Sequence, residues 1–234
     1  MHPTDKAARV AGAVYLSLIF TAPFSLLYVP GKLIVRGDAT ATASNILAHE
    51  TLFRFGIVAG LLSSVTFIFV VLALYRLLNG VSKTHASVMV ILGLVSVAIG
   101  FMNTLNDIAA LTLFRGGDGG FLAVFDKPQR DALAMLFLRL NGQGDVIDEI
   151  FWGLWLFPFG VLVIKSRFLP RTLGAWLILN CFAYLAISFT GLLAPQYGDR
   201  VYNIVLPVLF GELAITLWLL IKGAKVPPVA AATS

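Results

Sequence analysis

Long apolar runs, unbroken by charge, recur along this chain. Residues 10–31, 55–75, 86–106 and 172–198 contain no Asp, Glu, Lys or Arg, and 201–221 contains only Glu212. Residues 146–164 are apolar after a first turn that holds Asp148 and Glu149. About 20 residues of helix cross the ~30 Å hydrocarbon layer of a bilayer. These runs are apolar on every face, whereas barrel strands are about 10 residues long with alternating polarity. In lipid a segment must satisfy its own backbone hydrogen bonds, so each run is expected to be a helix. The pattern predicts an all-α, polytopic transmembrane helix bundle, a single domain with spans near 10–29, 52–78, 86–113, 146–164, 172–193 and 201–221. The first run is longer than the 7–15-residue core of a signal peptide and is expected to be retained.

The residues between the runs punctuate them. Pro30-Gly31 is expected to stop the first helix. Ser44 or Asn45 is placed to cap a helix that starts before the second span. The glycine-rich stretch 116–120 reads as a flexible polar loop. Residues 131–140 carry Leu133, Leu136, Phe137 and Leu140 on one face, the pattern of an interfacial helix before span four. Asn141-Gly142-Gln143-Gly144 then either breaks that helix or only kinks one longer helix. Pro158 and Pro207 fall inside spans and should bend them. Pro170 closes a tight turn, and residues 222–234, basic and then Pro/Ala-rich, read as a disordered cytoplasmic tail.

Composition sharpens the class. Of 234 residues, 59% are apolar and 12% charged, and mean hydropathy is +0.89. Soluble domains carry about 25% charged residues, so a soluble enzyme, a disulfide scaffold and a disordered chain are excluded. There are 17 Lys+Arg against 12 Asp+Glu, a net charge of +5. The connections 77–85 and 165–171 are short and purely basic, with Arg76, Lys83, Lys165, Arg167 and Arg171 in or beside them. The positive-inside rule therefore puts them, and both termini, in the cytoplasm. There they would meet anionic lipid headgroups, not nucleic acid. Tyr28, Tyr197, Tyr202, Trp152 and Trp155 near one set of span ends, and Tyr15, Tyr75, Trp176 and Trp218 near the other, match interfacial aromatic belts.

Polar residues within spans are the candidate chemistry, because an ionisable group at a helix centre costs ~2.5–3.5 kcal/mol or more. Glu212 lies roughly 16 Å along its helix, near the midplane, and Asn180 roughly 12 Å along its own. Asn103, Asn106 and Asp107 sit toward the outer end of span three. Asp145, Asp148 and Glu149 share a helix face at the expected start of span four, where they would also complement a helix N-terminus. His49, Glu50 and Arg54 sit at the start of span two, with Glu50 and Arg54 spaced for an i,i+4 ion pair. These positions converge on the outer half of the membrane and suggest a polar cavity floored by Glu212, for which Asn180 is a candidate partner. No metal site is signalled, since the three His lack di-His helical spacing. Cys181 stands alone in a span, so no disulfide or redox role is expected. No P-loop accompanies the glycines, and no cofactor is implied.

Three segments carry a family resemblance: F-W-G-L-W-L-F-P-F-G-V-L-V-I-K-S-R-F-L-P-R-T-L-G at 151–174, N-I-L-A-H-E-T-L-F-R-F-G at 45–56, and L-A-L-Y-R-L-L at 72–78. Together they resemble domain-of-unknown-function family 4386, over nearly the whole chain. The resemblance implies a bacterial inner-membrane protein of about six helices. It implies no activity, substrate or catalytic residue. The most specific segment also has a physical reading: Gly153 and Gly160 permit close helix approach while Pro158 bends the chain.

Three functions compete. The first is binding or transport of a small ligand or ion through an outward-facing polar cavity. The second is a non-catalytic membrane partner or sensor subunit. The third is a membrane-embedded lipid-modifying enzyme, for which Asp107 with Asp148 and Glu149 is the candidate acid set. An enzyme is the less favoured class, and no catalytic residue is assigned.

Overall fold

The computed structural model describes residues 3–116 and 120–224, and among these every regular element is a helix. In chain order they are α1 (Pro3–Pro23), a π turn (Phe24–Tyr28), α2 (Val29–Leu33), α3 (Ala39–Ala48), α4 (Glu50–Leu78) and α5 (Lys83–Arg115). A 3-10 turn (Phe121–Val124) precedes α6 (Lys127–Leu154), α7 (Leu156–Ser166) and α8 (Arg171–Leu193). A second 3-10 turn (Pro195–Tyr197) leads into α9 (Gly198–Ile221). Six helical stretches are long and apolar enough to cross a membrane: Pro3–Leu33, Glu50–Leu78, Lys83–Arg115, Lys127–Ser166, Arg171–Leu193 and Pro195–Ile221. Their outward side chains fit a lipid surround, with Phe69 57%, Met102 67%, Phe182 56% and Ile204 67% exposed. Residues 117–119 of the glycine loop and 225–234 of the expected tail lie outside the described residues.

Several helix limits differ from the sequence expectation. Pro30-Gly31 does not stop the first helix. The π turn widens the chain just ahead of Pro30 and helix continues to Leu33. The end is then satisfied by Asn45, whose Nδ2 donates to the Leu33 carbonyl at 3.3 Å. Neither Ser44 nor Asn45 is an N-cap. Asp38 caps α3 by accepting from the Ala41 amide at 2.8 Å, and both residues lie inside that helix. Of the two readings of Asn141-Gly142-Gln143-Gly144, the one longer helix is formed, and the interfacial stretch is the first half of α6. Asp145, Asp148 and Glu149 therefore sit deep within a helix that starts at Lys127, far from its N-terminal dipole. The break falls instead at Trp155, three residues before Pro158, which cannot donate to the Leu154 carbonyl.

The chain forms two compact units. The first comprises the described residues of Met1–Ser17, Phe67–Val95 and Glu149–Ser234. Trp155, 2% exposed, is central to its core. Phe67 meets its ring edge-on at 5.0 Å, Phe159 stacks at 5.5 Å and Tyr15 tilts against it at 6.0 Å. Glycines let backbones touch in this unit. A Cβ on Gly160 would stand 2.6 Å from the Gly174 carbonyl oxygen, and one on Gly174 equally close to that of Gly160. A Cβ on Gly153 would stand 2.8 Å from the Cys181 carbonyl oxygen. The expected close approach at Gly153 and Gly160 is thus present, with α8 as the partner. Arg167 ends α7 in the left-handed region, φ 62°, before Pro170 begins α8.

The second unit comprises Leu18–Thr66 and the described residues of Ser96–Asp148. Its core gathers Val29 and Leu33 of α2, Ile46 of α3, Phe53 of α4, Leu111 and Phe114 of α5, and Met135 and Leu138 of α6. Polar links within spans join α1 to α4, where Ser63 Oγ donates to Thr21 Oγ1 at 2.8 Å.

Candidate functional site

Glu212 of α9 is held by two phenols. Tyr15 of α1 donates to Oε2, and Tyr184 of α8 donates to Oε1 at 2.9 Å. Both rings are fixed by indoles: Tyr15 by Trp155, and Tyr184 by Trp152, which it meets edge-on at 6.1 Å. Trp176, Asn180 and Tyr184 follow one another at i, i+4 and i+8 on α8, so all three face one side. Trp176 Nε1 donates to the Val208 carbonyl at 2.8 Å. Asn180 is fully buried, and its side-chain amide meets the α9 backbone, donating to the Val208 carbonyl and accepting from the Glu212 amide at 3.3 Å. Pro207 cannot donate within α9, and these side chains decorate the backbone just beyond it. Gly211 makes room, since a Cβ there would stand 2.8 Å from the Trp176 ring.

The sequence-based partner for Glu212 was Asn180, whose side chain meets the α9 backbone at Val208 and Glu212 and not the carboxylate. Tyr15 was missed because it read as a belt residue near a span end, and Tyr184, inside its span, was assigned no role. Tyr15 is 4% and Trp155 2% exposed, so neither is an interfacial anchor. The usable signal was the i, i+4 pair Asn180 and Tyr184. It marks a polar stripe on an otherwise apolar helix.

A second polar cluster lies between α5 and α6 in the other unit. Asn103 Nδ2 donates to Asp145 Oδ1 and to the Asn141 carbonyl, both at 2.9 Å. Asn106 Nδ2 donates to Asn103 Oδ1 at 3.0 Å, and Asn141 Nδ2 to the Asn103 carbonyl at 3.3 Å. Asp107 hydrogen-bonds the Asn141 side chain and lies within the electrostatic field of Asp145. Gly144 admits this arrangement because a Cβ there would overlap the Asn103 amide. Asn103, Asn106, Asp107 and Asp145 are thus brought together. Asn141, read from the sequence only as a helix breaker, joins them. Asp148 is buried nearby in sequence, while Glu149 lies within the field of Tyr184.

The third group is at the start of α4. Arg54 Nε bonds Glu50 Oε1 at 2.7 Å, the predicted i,i+4 pair. Arg115, at the end of α5, adds its Nε to Glu50 Oε2 at 3.4 Å. His49 is exposed at the end of α3, its Nδ1 3.1 Å from the Asn45 carbonyl. Among the described residues no three of His, Cys, Asp and Glu are grouped closely enough to hold a metal ion.

Six long apolar helical stretches with lipid-suited outer faces define a multi-pass helical membrane protein. Residues 10–223 match the family described as Domain of unknown function (DUF4386), and the chain belongs to that family. It is similar to an "Uncharacterized protein" of Archaeoglobus fulgidus, 29% identical over 160 residues, which cover 68% of this chain and 78% of the relative. No solved structure matches the chain.

Proposed function

We propose that the protein binds a monovalent cation, or the ammonium group of a small ligand, at the α5–α6 polar cluster. The observation that carries this reading is the hydrogen-bonded chain that ties Asp107 and Asp145 together through Asn141 and Asn103 inside candidate membrane spans. Two carboxylates in a medium of low polarity repel, and a positive ligand between them offsets that repulsion. Asn103 and Asn141 orient the two carboxylates by hydrogen bonds, and each carboxylate keeps acceptor capacity for the ligand. The scarcity of further acids or imidazoles argues against a divalent or transition metal. In this reading the protein resides in the bacterial inner membrane, the usual home of helical multi-pass proteins. Both termini face the cytoplasm, as the density of Lys and Arg in the two short connections indicates. The cluster then lies toward the outer end of α5.

The test is detergent melting in sodium, potassium and ammonium chloride, with N-methylglucamine chloride as the large-cation control. Binding that saturates a site 100-fold stabilises by about 2.7 kcal/mol, so one small cation should raise the melting temperature by several degrees. Asp107→Asn and Asp145→Asn should each remove that increment. Equal melting in every salt would overturn the reading.

A sensor or partner subunit is the second reading, and the Glu212 clamp favours it. Both carboxylate oxygens are occupied by tyrosines from different helices, the arrangement of a structural tie between α1, α8 and α9.

A further inference from the structure

A groove of about 470 Å³ opens in the second unit, between the first turns of α4 and the last turns of α5. Its walls are apolar, formed by Ile57 and Val58 on one side and Ile108 and Leu111 on the other. Its rim is cationic: Arg54 and Arg115 both line it. Each guanidinium meets the shared carboxylate of Glu50 through Nε, which leaves the paired Nη edges for another partner. A third guanidinium reaches the same rim. Gly116, also in the lining, has φ +58°, and a Cβ there would stand 3.1 Å from Arg130 Nη2. Arg130 donates through Nη1 to the Phe125 carbonyl at 2.8 Å. Its Nε is buried without a hydrogen-bond partner among the described residues. Two guanidiniums therefore share one carboxylate, and a third lies against Gly116 of the same lining.

The geometry points to an anionic membrane phospholipid as the occupant of this groove, its phosphodiester at Arg54, Arg115 and Arg130 and one acyl chain along Ile57, Val58, Ile108 and Leu111. The order of residues along the helices supports this amphiphile. On α4 the charge at Arg54 comes first and the apolar wall follows within one turn. On α5 the apolar wall comes first and Arg115 ends the helix. Charge thus sits at the helix ends, where headgroups lie, and the apolar walls run toward the span centre. Arginine suits the head because its planar fork meets two phosphate oxygens at once. Glu50 holds the two forks apart and so sets the width of the opening. The volume fits the ~300–1,000 Å³ range of ligand pockets. This site is separate from the α5–α6 polar cluster and from the basic connections at the opposite end of α4.

The test is native mass spectrometry of the full chain in detergent, titrated with phosphatidylglycerol or with phosphatidylcholine of the same acyl composition. Wild type should retain phosphatidylglycerol about tenfold more strongly. Arg115→Gln leaves the Glu50–Arg54 pair intact and should reduce that preference several-fold. Arg200→Gln, in the first turn of α9 and outside the groove lining, should leave it unchanged. Val58→Trp fills the groove without altering charge, and Val58 is already 48% exposed, so the variant should fold and lose the same lipid. Glycerophosphate should not displace the lipid. Equal retention of the two lipids by wild type would overturn the assignment. So would a preference that survives both Arg115→Gln and Val58→Trp, or displacement by glycerophosphate at matching concentration.

Discussion

Tyr184→Phe removes one hydroxyl and nothing else, and it tests whether Glu212 is held inside the bundle. The hydroxyl donates to Oε1 at 2.9 Å, and Tyr15 continues to serve Oε2. A hydrogen bond to a charged acceptor contributes about 1.5–3 kcal/mol. For chains of this size each kcal/mol moves the melting temperature by about 2–4 °C. Tyr184→Phe should therefore melt about 3–12 °C lower in detergent. Tyr15→Phe should cost a similar amount, and the double variant about 3–5 kcal/mol, since the carboxylate then lacks both phenols. Glu212→Gln retains an acceptor for one phenol and an amide for the other, so its cost should stay near 1 kcal/mol. Glu212→Leu strands both hydroxyls and should cost about 1–3 kcal/mol for each. The reasoning fails if Tyr184→Phe melts within about 1 °C of wild type. It fails equally if Glu212→Leu is the more heat-stable protein, because leucine would relieve only a carboxylate that faces lipid.

Two glycines two residues apart should respond with opposite signs. Gly142 has open space around its would-be Cβ, so Gly142→Ala should stabilise by up to about 1 kcal/mol through helix propensity. Gly144→Ala would strike Asn103 and should destabilise by about 1–2 kcal/mol in the same melting assay, and reduce the cation-dependent shift. Gly160→Val and Gly174→Val must each push apart the backbones of α7 and α8, and should lower the yield of folded protein or its melting temperature by several degrees. Reporter fusions at Ser82 should read as cytoplasmic and at Gly119 as external. A cytoplasmic Gly119 would reverse the orientation and put the polar cluster on the other side.

Where the chain crosses hydrocarbon, lipid leaves few solutions, and six apolar runs translate into six helical stretches. Where helices leave that environment, residue punctuation misleads. Pro30-Gly31 looks terminal, but a π turn carries the helix past it, and Asn45, twelve residues on, caps its end. Asn141-Gly142-Gln143-Gly144 looks like a loop, yet Gly144 is present to admit the Asn103 amide rather than to turn the chain. The same tertiary contact explains why the acids at 145–149 are interior to α6. Among candidate residues, Glu50–Arg54 was legible because its pairing is local, set by helical spacing alone. Arg115 joining that pair, and Tyr15 reaching Glu212, depend on which helices become neighbours. A single sequence does not encode that choice in any spacing.

The central claim is a cation at the α5–α6 cluster. Thallium(I), a monovalent ion with strong anomalous scattering, reports it directly. In crystals of the full chain grown with thallium acetate, the account predicts one anomalous peak about 2.5–3 Å from carboxylate oxygens of Asp107 and Asp145, a contact range set by ionic coordination. The peak should be absent from Asp107→Asn crystals grown the same way. A wild-type structure at matching resolution with Asp107 and Asp145 still bonded only to asparagines, and thallium elsewhere or nowhere, would contradict it.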